Sequence, residues 1–454
     1  MSKRYFFIPL IIVVIITGVL VWACKHPFGD GLSFSSINNQ GGGTGYLNET
    51  GGPGYKGEIG KDVTNTFIKP NKVLVFPLES ARNYYRIPTL IQLTNGDLLA
   101  FADKRIGGVG DVPKSPIETV YKKSVDNGKT WSQEKRISPP STSKSLSYGD
   151  GAYCVDRKTG NIICLVVGDQ GFLQSTPNNP IKTRLIIGRN NGSTWDAPID
   201  ITDKIYGANC KDPDRKTWNG AFTTSGNGVQ LRNGRIMFVL NVRKGTNASP
   251  LYNHVLYTDD GGATWNVSKG APGISKNPSR GGSEAKIVEL NDGTLLMAIR
   301  PEGIYQRFLA KSTDNGETWG EMEPRSELPS SSSNGDIIYY TSTLNGWDKN
   351  RIITMFDSRP WSGAGGGYPG NPVLYWSYDE GKTWKGRQMH SGNAGYSSLA
   401  ILKDGSIGIL AEIGGSWNGP IYFMRVNMKY LTSNADKGPF NTNQTATNNN
   451  SKVK

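Results

Sequence analysis

One eight-residue phrase recurs along this chain of 454 residues, each time with a few substitutions. STDNGETW occupies residues 312–319, and related copies begin at residues 124, 188, 258 and 377. Successive copies start 64, 70, 54 and 65 residues apart, so one unit repeats with inserts of variable size. Such a repeat constrains the fold more than composition does, because each unit has to bury its apolar face against its neighbours.

The stretches between the copies contain paired apolar runs joined by turn residues. Four of them are TLIQLTNGDLLAFA (89–102), GVQLRNGRIMFVLNV (228–242), AKIVELNDGTLLMAIR (285–300) and LAILKDGSIGILAEI (399–413). Two apolar runs around an Asn-Gly or Asp-Gly turn predict a β-hairpin. Each repeat therefore supplies about four short strands, which is one blade of a β-propeller.

Each position of the recurring phrase suggests a structural task. The aspartate can accept hydrogen bonds from nearby backbone N–H groups, the glycine suits a positive φ angle, and the tryptophan can bury its ring beside the turn. In the copy at 188–195, Asn190 replaces the aspartate. Metal binding by the repeated aspartates is the alternative, but each copy brings one carboxylate and the copies fall on separate blades. The positions are Asp126, Asp260, Asp314 and Asp379, then Gly128, Gly262, Gly316 and Gly381, then Trp131, Trp195, Trp265, Trp319 and Trp384.

These phrases resemble the Asp-boxes of sialidases (neuraminidases), whose fold is a six-bladed β-propeller. Five boxes and a first blade beginning near NKVLVFP (71–77) fit six blades. The resemblance therefore predicts an all-β fold, a sialidase-like six-bladed β-propeller, over residues 66–432. Other secreted propellers carry such boxes, so function has to be judged from the site residues.

A set of short motifs resembles the sialidase site and follows the family's order. YYRIPTL contains Arg86, which the resemblance makes the first of the family's three substrate-binding arginines. In FADKRIGGVGD, Arg105 falls at a substrate-binding position and Asp111 at the acid/base position. In SEAKIVELNDGTLLMAIRP, Glu284 matches the general base and Arg300 the second arginine.

Four further residues complete the predicted site. AGYSSLAIL places Tyr396 at the nucleophile position, and LAEIG offers Glu412, which in the family pairs with the first arginine. Asp150 lies where some relatives hold a sugar hydroxyl, and a plain turn aspartate is the alternative. No arginine stands at the family's third position. Arg359, eighteen residues before the last copy of the phrase, is the nearest, and an incomplete triad is the alternative.

The chemistry of sialic acid agrees with these residue types. Its anomeric carbon carries a carboxylate, which guanidinium groups bind through charge-assisted, partly bidentate hydrogen bonds. A carboxylate nucleophile would be repelled by that group whereas a phenol would not, and sialidases are an exception to the two-carboxylate rule of glycosidases. A phenol with a pKa near 10 needs a base, so Glu284 would activate Tyr396 while Asp111 protonates the leaving oxygen.

Charge and metal-ligand composition narrow the function classes. The formal charge of +13, from 51 basic and 38 acidic residues, favours approach to anionic surfaces or simply a solvated basic surface. No dense Lys/Arg run argues for nucleic acid. The three histidines and four cysteines show no zinc-site spacing. Cys154 and Cys164 flank a turn-like segment, so they form either a disulfide across a hairpin or two buried thiols.

Both ends of the chain have their own composition. Residues 1–24 carry Lys3 and Arg4 before an apolar run that ends at Cys24, which predicts an export signal with a lipoprotein-type cleavage box or an uncleaved membrane anchor. Residues 25–65 read as a flexible linker and residues 433–454 as a disordered polar tail. We expect a location at the cell surface, anchored or secreted.

The sequence therefore predicts an exo-α-sialidase that acts on sialylated glycoproteins, glycolipids or oligosaccharides without a cofactor. A trans-sialidase shares the intermediate and is one alternative. A non-catalytic adhesin is the alternative of another class. It would need the arginines but not the nucleophile Tyr396.

Overall fold

The computed structural model describes residues 66–440, except 249, 275–280, 303, 332, 359–369 and 416–418. The predicted export signal (1–24) and linker (25–65) lie outside these residues, as does the chain from 441 onward. The described residues form 28 strands in six sheets, the blades of a six-bladed β-propeller. The predicted all-β fold is confirmed. No helix in the described part of the chain has the length and apolar character needed to cross a membrane.

The blades follow one another along the chain. The first contains β2 (Glu79–Ser80), β3 (Asn83–Gln92), β4 (Leu98–Ile106), β5 (Ile117–Ser124) and β6 (Lys135–Arg136). The second contains β7 (Gly149–Val155), β8 (Ile162–Gly168), β9 (Lys182–Arg189), β10 (Thr194–Trp195) and β11 (Ile199–Asp200). The third contains β12 (Gly220–Thr223), β14 (Val229–Gln230), β15 (Ile236–Arg243), β16 (Tyr252–Thr258) and β17 (Asn266–Val267). Between β12 and β14, β13 (Gly226–Asn227) crosses to pair with β7.

The remaining blades have four strands each. The fourth contains β18 (Gly282–Glu289), β19 (Leu295–Pro301), β20 (Gln306–Ser312) and β21 (Glu323–Pro329). The fifth contains β22 (Asp336–Thr341), β23 (Arg351–Ser358), β24 (Asn371–Ser377) and β25 (Lys385–Gln388). The sixth contains β26 (Ala394–Ile401), β27 (Ile407–Ile413), β28 (Ile421–Val426) and β1 (Val73–Phe76). Two one-turn α-helices, α1 (Thr202–Ile205) and α2 (Met428–Leu431), lie outside the blades, as do two 3₁₀ turns, Arg215–Thr217 and Thr343–Asn345.

The four predicted hairpins are present as β3–β4, β14–β15, β18–β19 and β26–β27. The inner strands of the blades surround the axis of the ring, where the structure has a cavity of about 340 Å³. All six blades contribute to its lining, with Ile91, Tyr153, Val229, Ile287, Ile337 and Leu399 among the lining residues. The apolar runs and their turn residues therefore locate the hairpins correctly, because these strands are buried between blades over most of their length.

The ring of blades closes through a strand from the N-terminal side. Val73–Phe76 pairs antiparallel with β28, with Val73 opposite Phe423. The prediction that the first blade begins near NKVLVFP is wrong, since this segment completes the sixth blade. Local patterning carries no signal for such a pairing, which joins residues at opposite ends of the domain. Phe76 is fully buried, and its ring stacks on Tyr85 of the first blade at 5.2 Å.

The first Asp-box shows how the recurring phrase works. Ser124 Oγ donates to Asp126 Oδ1 at 2.8 Å, and the Thr130 N–H donates to the same oxygen at 3.0 Å. The Gly128 N–H donates to Ser124 Oγ at 2.8 Å. The predicted turn-fixing role of the aspartates is confirmed. The same bonds recur around Asp260, Asp314 and Asp379.

The boxes also hold each blade against the one before it. A Cβ on Gly128, where φ is +81°, would lie 2.0 Å from the Phe423 ring of the sixth blade. A Cβ on Gly316 would lie 2.5 Å from Met237 of the third blade. Only glycine combines this backbone angle with so close an approach. The sixth blade has no box because its third strand, β28, is not followed along the chain by its outer strand, β1.

The described cysteines are buried thiols outside any disulfide, which decides between the two alternatives for Cys154 and Cys164. In the β7–β8 pairing, Cys154 lies opposite Ile163 and Cys164 lies opposite Tyr153. Because side chains alternate between the two faces of a sheet, the two thiols point to opposite faces. They are buried thiols.

Residues 433–440 follow the predicted domain boundary and pack against the fifth blade. The carboxylate of Asp436 accepts hydrogen bonds from Arg351 Nε at 2.8 Å and Nη2 at 2.9 Å. Both residues are buried. This charge pair ties the chain beyond the last blade to β23.

Replacing Asp126 by alanine should lower the free energy of unfolding by about 1 kcal/mol at pH 7, because Thr130 and Ser124 lose their acceptor. Burial alone would raise the pKa of Asp126, but hydrogen bonds from Thr130 and Ser124 outweigh it and lower the pKa to about 2. The stabilisation is present above the unfolded-state pKa near 4 and is lost as the pH falls through 2. Urea unfolding at a series of pH values from 7 to 2 measures this. The difference in the free energy of unfolding between wild type and Asp126→Ala should become smaller as the pH falls.

Asn190→Ala is the matched control, because the Asn190 side chain makes no such bonds within the part of the chain that the structure describes. Asn190 has a φ of 50°, so alanine there should cost about 1 kcal/mol in backbone strain, and this loss should be the same at every pH because no titrating group is removed. A pH-independent effect of Asp126→Ala would contradict the role of the carboxylate.

Phe76→Ala should lower the free energy of unfolding by about 3–5 kcal/mol, because it empties a fully buried site between the first and sixth blades. Leu74→Ala on the same strand should change it by less than about 0.5 kcal/mol, since Leu74 is 52% exposed. Denaturant unfolding of both variants measures the closing contact. Equal losses would mean that β1 contributes only backbone pairing.

Candidate active site

The predicted site residues meet at one edge of the blades. Neighbouring strands are antiparallel, so the start of an inner strand and the end of the next strand lie at the same edge. The Asp-boxes follow the third strands and therefore lie at the opposite edge. The site residues are Arg86, Glu284 and Tyr396 near the starts of β3, β18 and β26, with Arg105, Arg300 and Glu412 near the ends of β4, β19 and β27.

Four inner strands are irregular where these residues lie. The pairing register shifts in β3 after Arg86, and matching shifts in β7, β18 and β26 enclose Asp150, Glu284 and Tyr396. A β-bulge breaks strict alternation and re-aims the side chain beside it. Ile87 has a φ of 60°, which a β-branched residue rarely adopts. In a regular strand, successive side chains point to opposite faces of the sheet. The bulges break this alternation, so they can direct the site residues beside them toward the axis of the ring.

Arg86 and Glu412 form a two-bond ion pair between the first and sixth blades. Arg86 Nε lies 2.9 Å from Glu412 Oε1, and Nη2 lies 3.2 Å from Oε2. The N–H groups of Ile87 and Tyr396 donate to the same carboxylate at 3.0 and 3.1 Å. Burial alone would lower the pKa of Arg86, but the charge of Glu412 outweighs it and raises the pKa. Arg86 is therefore a cation held in a fixed position within the candidate site.

Tyr396, Glu284 and Arg300 form a second cluster. The Tyr396 phenol donates to Glu284 Oε2 at 2.8 Å. Arg300 Nη1 donates to the phenol oxygen at 3.1 Å and also bonds Glu284 Oε2. Burial, and then the charge of Glu284, raise the pKa of Tyr396 well above its usual value. The phenol is neutral in the free protein, with an acceptor in place for its proton and a guanidinium that would stabilise the phenolate.

Asp111 lies on the glycine-rich loop after β4 and is anchored by Arg105. Arg105 Nη1 lies 2.7 Å from Asp111 Oδ1 and donates to the Val109 carbonyl at 2.7 Å. The Arg105 side chain is 1% exposed, whereas that of Asp111 is 70% exposed. Asp111 lines the cavity described below and Arg105 does not. Arg105 thus supports the loop from behind.

Asp150 occupies a left-handed turn with a φ of 49° at the start of β7. Its N–H lies 3.1 Å from both carboxylate oxygens of Asp103, a buried residue absent from the predicted set. Burial raises the pKa of both carboxyl groups, and their mutual repulsion raises that of Asp150 further. A sequence signal for Asp103 existed, since it stands two residues before Arg105 and therefore faces the same side of β4.

One cavity of about 500 Å³ collects these groups. Its polar side is lined by Arg86, Asp111, Asp150, Glu284, Glu302, Arg300 and Tyr396. Its apolar side is lined by Phe172, Leu173, Ile181, Phe222 and Leu251. The apolar side and Glu302 were not predicted, because they come from loops and from β12, whose positions depend on how neighbouring blades pack.

Arg359, offered as the third arginine, lies outside the described residues, within 359–369. Among the described residues, no group of three or more His, Cys, Asp or Glu side chains is arranged to hold a metal ion. The chemistry available in the described cavity is therefore that of two arginines, a neutral phenol and several carboxyl groups.

The BNR repeat-like domain family matches residues 87–358, more than half of the chain. A sialidase of Micromonospora viridifaciens is 31% identical over 341 residues, covering 73% of this chain and 50% of the relative. A sialidase of Paraclostridium sordellii is 29% identical over 375 residues, covering 78% of this chain and 88% of the relative. The chain thus spans only half the length of the first relative and most of the second.

Solved structures with the same fold include the Hadza microbial sialidase Hz136, with a TM-score of 0.62 and 22% identity over 76% of this chain and 66% of that one. The NanB sialidase of Streptococcus pneumoniae has a TM-score of 0.64 and 19% identity over 79% of this chain and 71% of that one. At these identities the likeness supports the fold alone. The matched repeat domain and the sequence relatives mean that the chain belongs to the bacterial sialidase family.

Proposed function

We propose that the chain is an exo-α-sialidase, which hydrolyses terminal sialic acids from glycoconjugates with retention of anomeric configuration. The hydrogen bond from the Tyr396 phenol to Glu284 at 2.8 Å carries the proposal. A glycosidase that meets an anionic sugar needs an uncharged nucleophile with a base beside it. The sequence relatives named sialidases support the same activity.

Arg86 and Arg300 are the proposed carboxylate clamp. Both line the cavity, one on the side of Glu412 and the other beside Tyr396. Guanidinium groups match a carboxylate in charge and in bidentate geometry, so the substrate carboxylate would be drawn to this wall. Arg359 remains our proposed third member, and Asp150 the proposed partner of a sugar hydroxyl.

Tyr396 is the proposed nucleophile and Glu284 its base. As the phenol oxygen attacks the anomeric carbon, its proton passes to Glu284, and Arg300 at 3.1 Å from that oxygen stabilises the developing negative charge. Because burial raises the pKa of Tyr396, the free phenolate is scarce at neutral pH, and proton transfer to Glu284 has to accompany attack.

Asp111 is the proposed general acid and base. Its exposed position on a loop allows it to reach the glycosidic oxygen, protonate the leaving group and later deprotonate the incoming water. Two displacements at the same carbon restore the original anomer. With a hydroxyl in place of water, the same intermediate would give transfer, so analysis of the product separates hydrolysis from the trans-sialidase alternative.

Tyr396→Phe should lower kcat for release of sialic acid by at least about 10²-fold, because the nucleophile is gone while the cavity keeps its shape. The assay uses the full-length protein and a fluorogenic sialic acid glycoside. Tyr339→Phe is the matched control, since Tyr339 is a buried tyrosine whose hydroxyl bonds Glu380 away from the site. NMR of the first-formed product should show the α-anomer.

Three results would contradict this function. Wild type that binds sialosides without release would favour an adhesin. Full activity in Tyr396→Phe would show that Tyr396 is not the nucleophile. A β-anomer as the first product would contradict the double displacement.

We also propose that the protein is held at the cell surface through residues 1–24, which the basic flank and the apolar run before Cys24 support. Full-length protein expressed in a Gram-negative host should fractionate with membranes. Cys24→Ser should release it if lipid on Cys24 is the anchor, and should leave it bound if the apolar run spans the bilayer. Cys210→Ser, a buried thiol, is the control. Wild type in the cytosolic fraction would contradict a surface location.

A further inference from the structure

Asp103 is a buried carboxylate behind the acid/base side of the cavity. It lies on β4, opposite Arg86 in the β3–β4 pairing, and is 2% exposed. It is not among the residues that line the cavity. Its contacts nevertheless reach two residues that do.

The first contact is with the turn that presents Asp150. The Asp150 N–H lies 3.1 Å from Asp103 Oδ1 and 3.1 Å from Oδ2. Asp150 has a φ of 49°, a conformation that non-glycine residues hold only when the surroundings impose it. Gly149 leaves the space for this approach, since a Cβ there would lie 2.9 Å from Asp103 Oδ2.

The second contact runs to the acid/base loop. Asp103 Oδ2 lies 3.8 Å from Arg105 Nη2, and Arg105 Nη1 lies 2.7 Å from Asp111 Oδ1. Arg105 is buried, whereas Asp111 is 70% exposed and its charge is partly screened by water. The buried guanidinium therefore has Asp103 as its protected counter-charge.

The charges around Asp103 come from several elements. Arg86 faces it from β3, Arg105 from β4, Asp111 from the loop and Asp150 from β7. Tyr153 of β7 also lies near but is neutral, because burial raises the pKa of its phenol. Burial raises the pKa of Asp103 to about 7, so above that pH Asp103 is a buried negative charge that shares Arg105 with Asp111, and its loss would leave Arg105 to Asp111 alone. The two would bind more tightly, and ionised Asp111 would lose the repulsion that Asp103 exerts.

We propose that Asp103 is a positioning residue that holds Arg105 and the Asp150 turn in place, so that Asp111 stays available as the proton donor to the leaving group. This inference rests on the proposed sialidase function and assigns no contact with substrate to Asp103. A positioning role differs from a general structural role in one respect. Replacement of Asp103 should slow the reaction most for substrates whose leaving group needs a proton.

The test compares two substrates in the full-length protein. Sialyllactose has a sugar alcohol as leaving group and depends on protonation, whereas an aryl sialoside releases an acidic phenol and depends on it little. Asp103→Asn keeps the shape and one acceptor oxygen but removes the charge. We expect kcat/KM, measured above pH 7 where Asp103 is ionised, to fall about 10²-fold for sialyllactose and less than about 5-fold for the aryl sialoside. The alkaline limb of the sialyllactose profile should move to lower pH.

Two further variants separate positioning from packing. In the Asp111→Ala background, Asp103→Asn should lower kcat/KM for sialyllactose little further, because both residues act on the same proton transfer. Glu289→Gln is the control, a buried carboxylate paired with Arg232 at the opposite edge of the blades, and should leave both rates unchanged. If Asp103→Asn does not fold, Gly149→Ala, which crowds the same carboxylate, should show the same preference between substrates.

Equal losses for the two substrates, or full additivity with Asp111→Ala, would overturn the role of Asp103 while leaving the sialidase function intact. Failure of wild type to release sialic acid from either substrate would instead contradict the proposed sialidase function, and therefore also the role of Asp103 that rests on it.

Discussion

The ion pair between Arg86 and Glu412 is the interaction on which the site depends. It joins β3 of the first blade to β27 of the sixth, where the ring closes. The same buried carboxylate accepts the N–H groups of Ile87 and Tyr396, so it orients an arginine, a bulge and the backbone of the tyrosine together. Breaking such a buried pair costs about 3–5 kcal/mol, because the remaining charge is left uncompensated. Closure of the propeller and assembly of the site are thus one structural condition.

The two edges of the blades serve different purposes. At one edge the Asp-boxes repeat a single bonding pattern and press glycines such as Gly128 against the preceding blade, which fixes the spacing of the ring. At the other edge the inner strands lose their regular register and present charged side chains to the axis. Backbone strain such as that at Ile87 persists only on a scaffold that imposes it, and the boxes contribute to that scaffold.

The sequence predicted those parts that local chemistry encodes. The box aspartates carry their own partners within six residues, and Asn-Gly and Asp-Gly turns mark the hairpins, so both were found correctly. Residues such as Arg86 and Tyr396 were found by resemblance, because no local pattern brings them together. The pairing of β1 with β28 and the register shifts were not foreseeable, since they depend on contacts between distant segments. Asp103 was not predicted because its hydrogen-bonded partner Asp150 lies on another blade, although its neighbour Arg105 on the same strand was a signal.

The shared construction of the sixth blade has a consequence for how the protein is made. Its outer strand, Val73–Phe76, is synthesised early, whereas the strands that carry Tyr396 and Glu412 are synthesised last. Domains begin to fold as the chain emerges, but here the earliest strand has to wait for the latest ones. A partly synthesised chain holds Arg86 without its carboxylate partner Glu412 and lacks Tyr396, the proposed nucleophile. The Arg86–Glu412 pair and the Tyr396–Glu284 hydrogen bond can therefore form only once the final blade is in place.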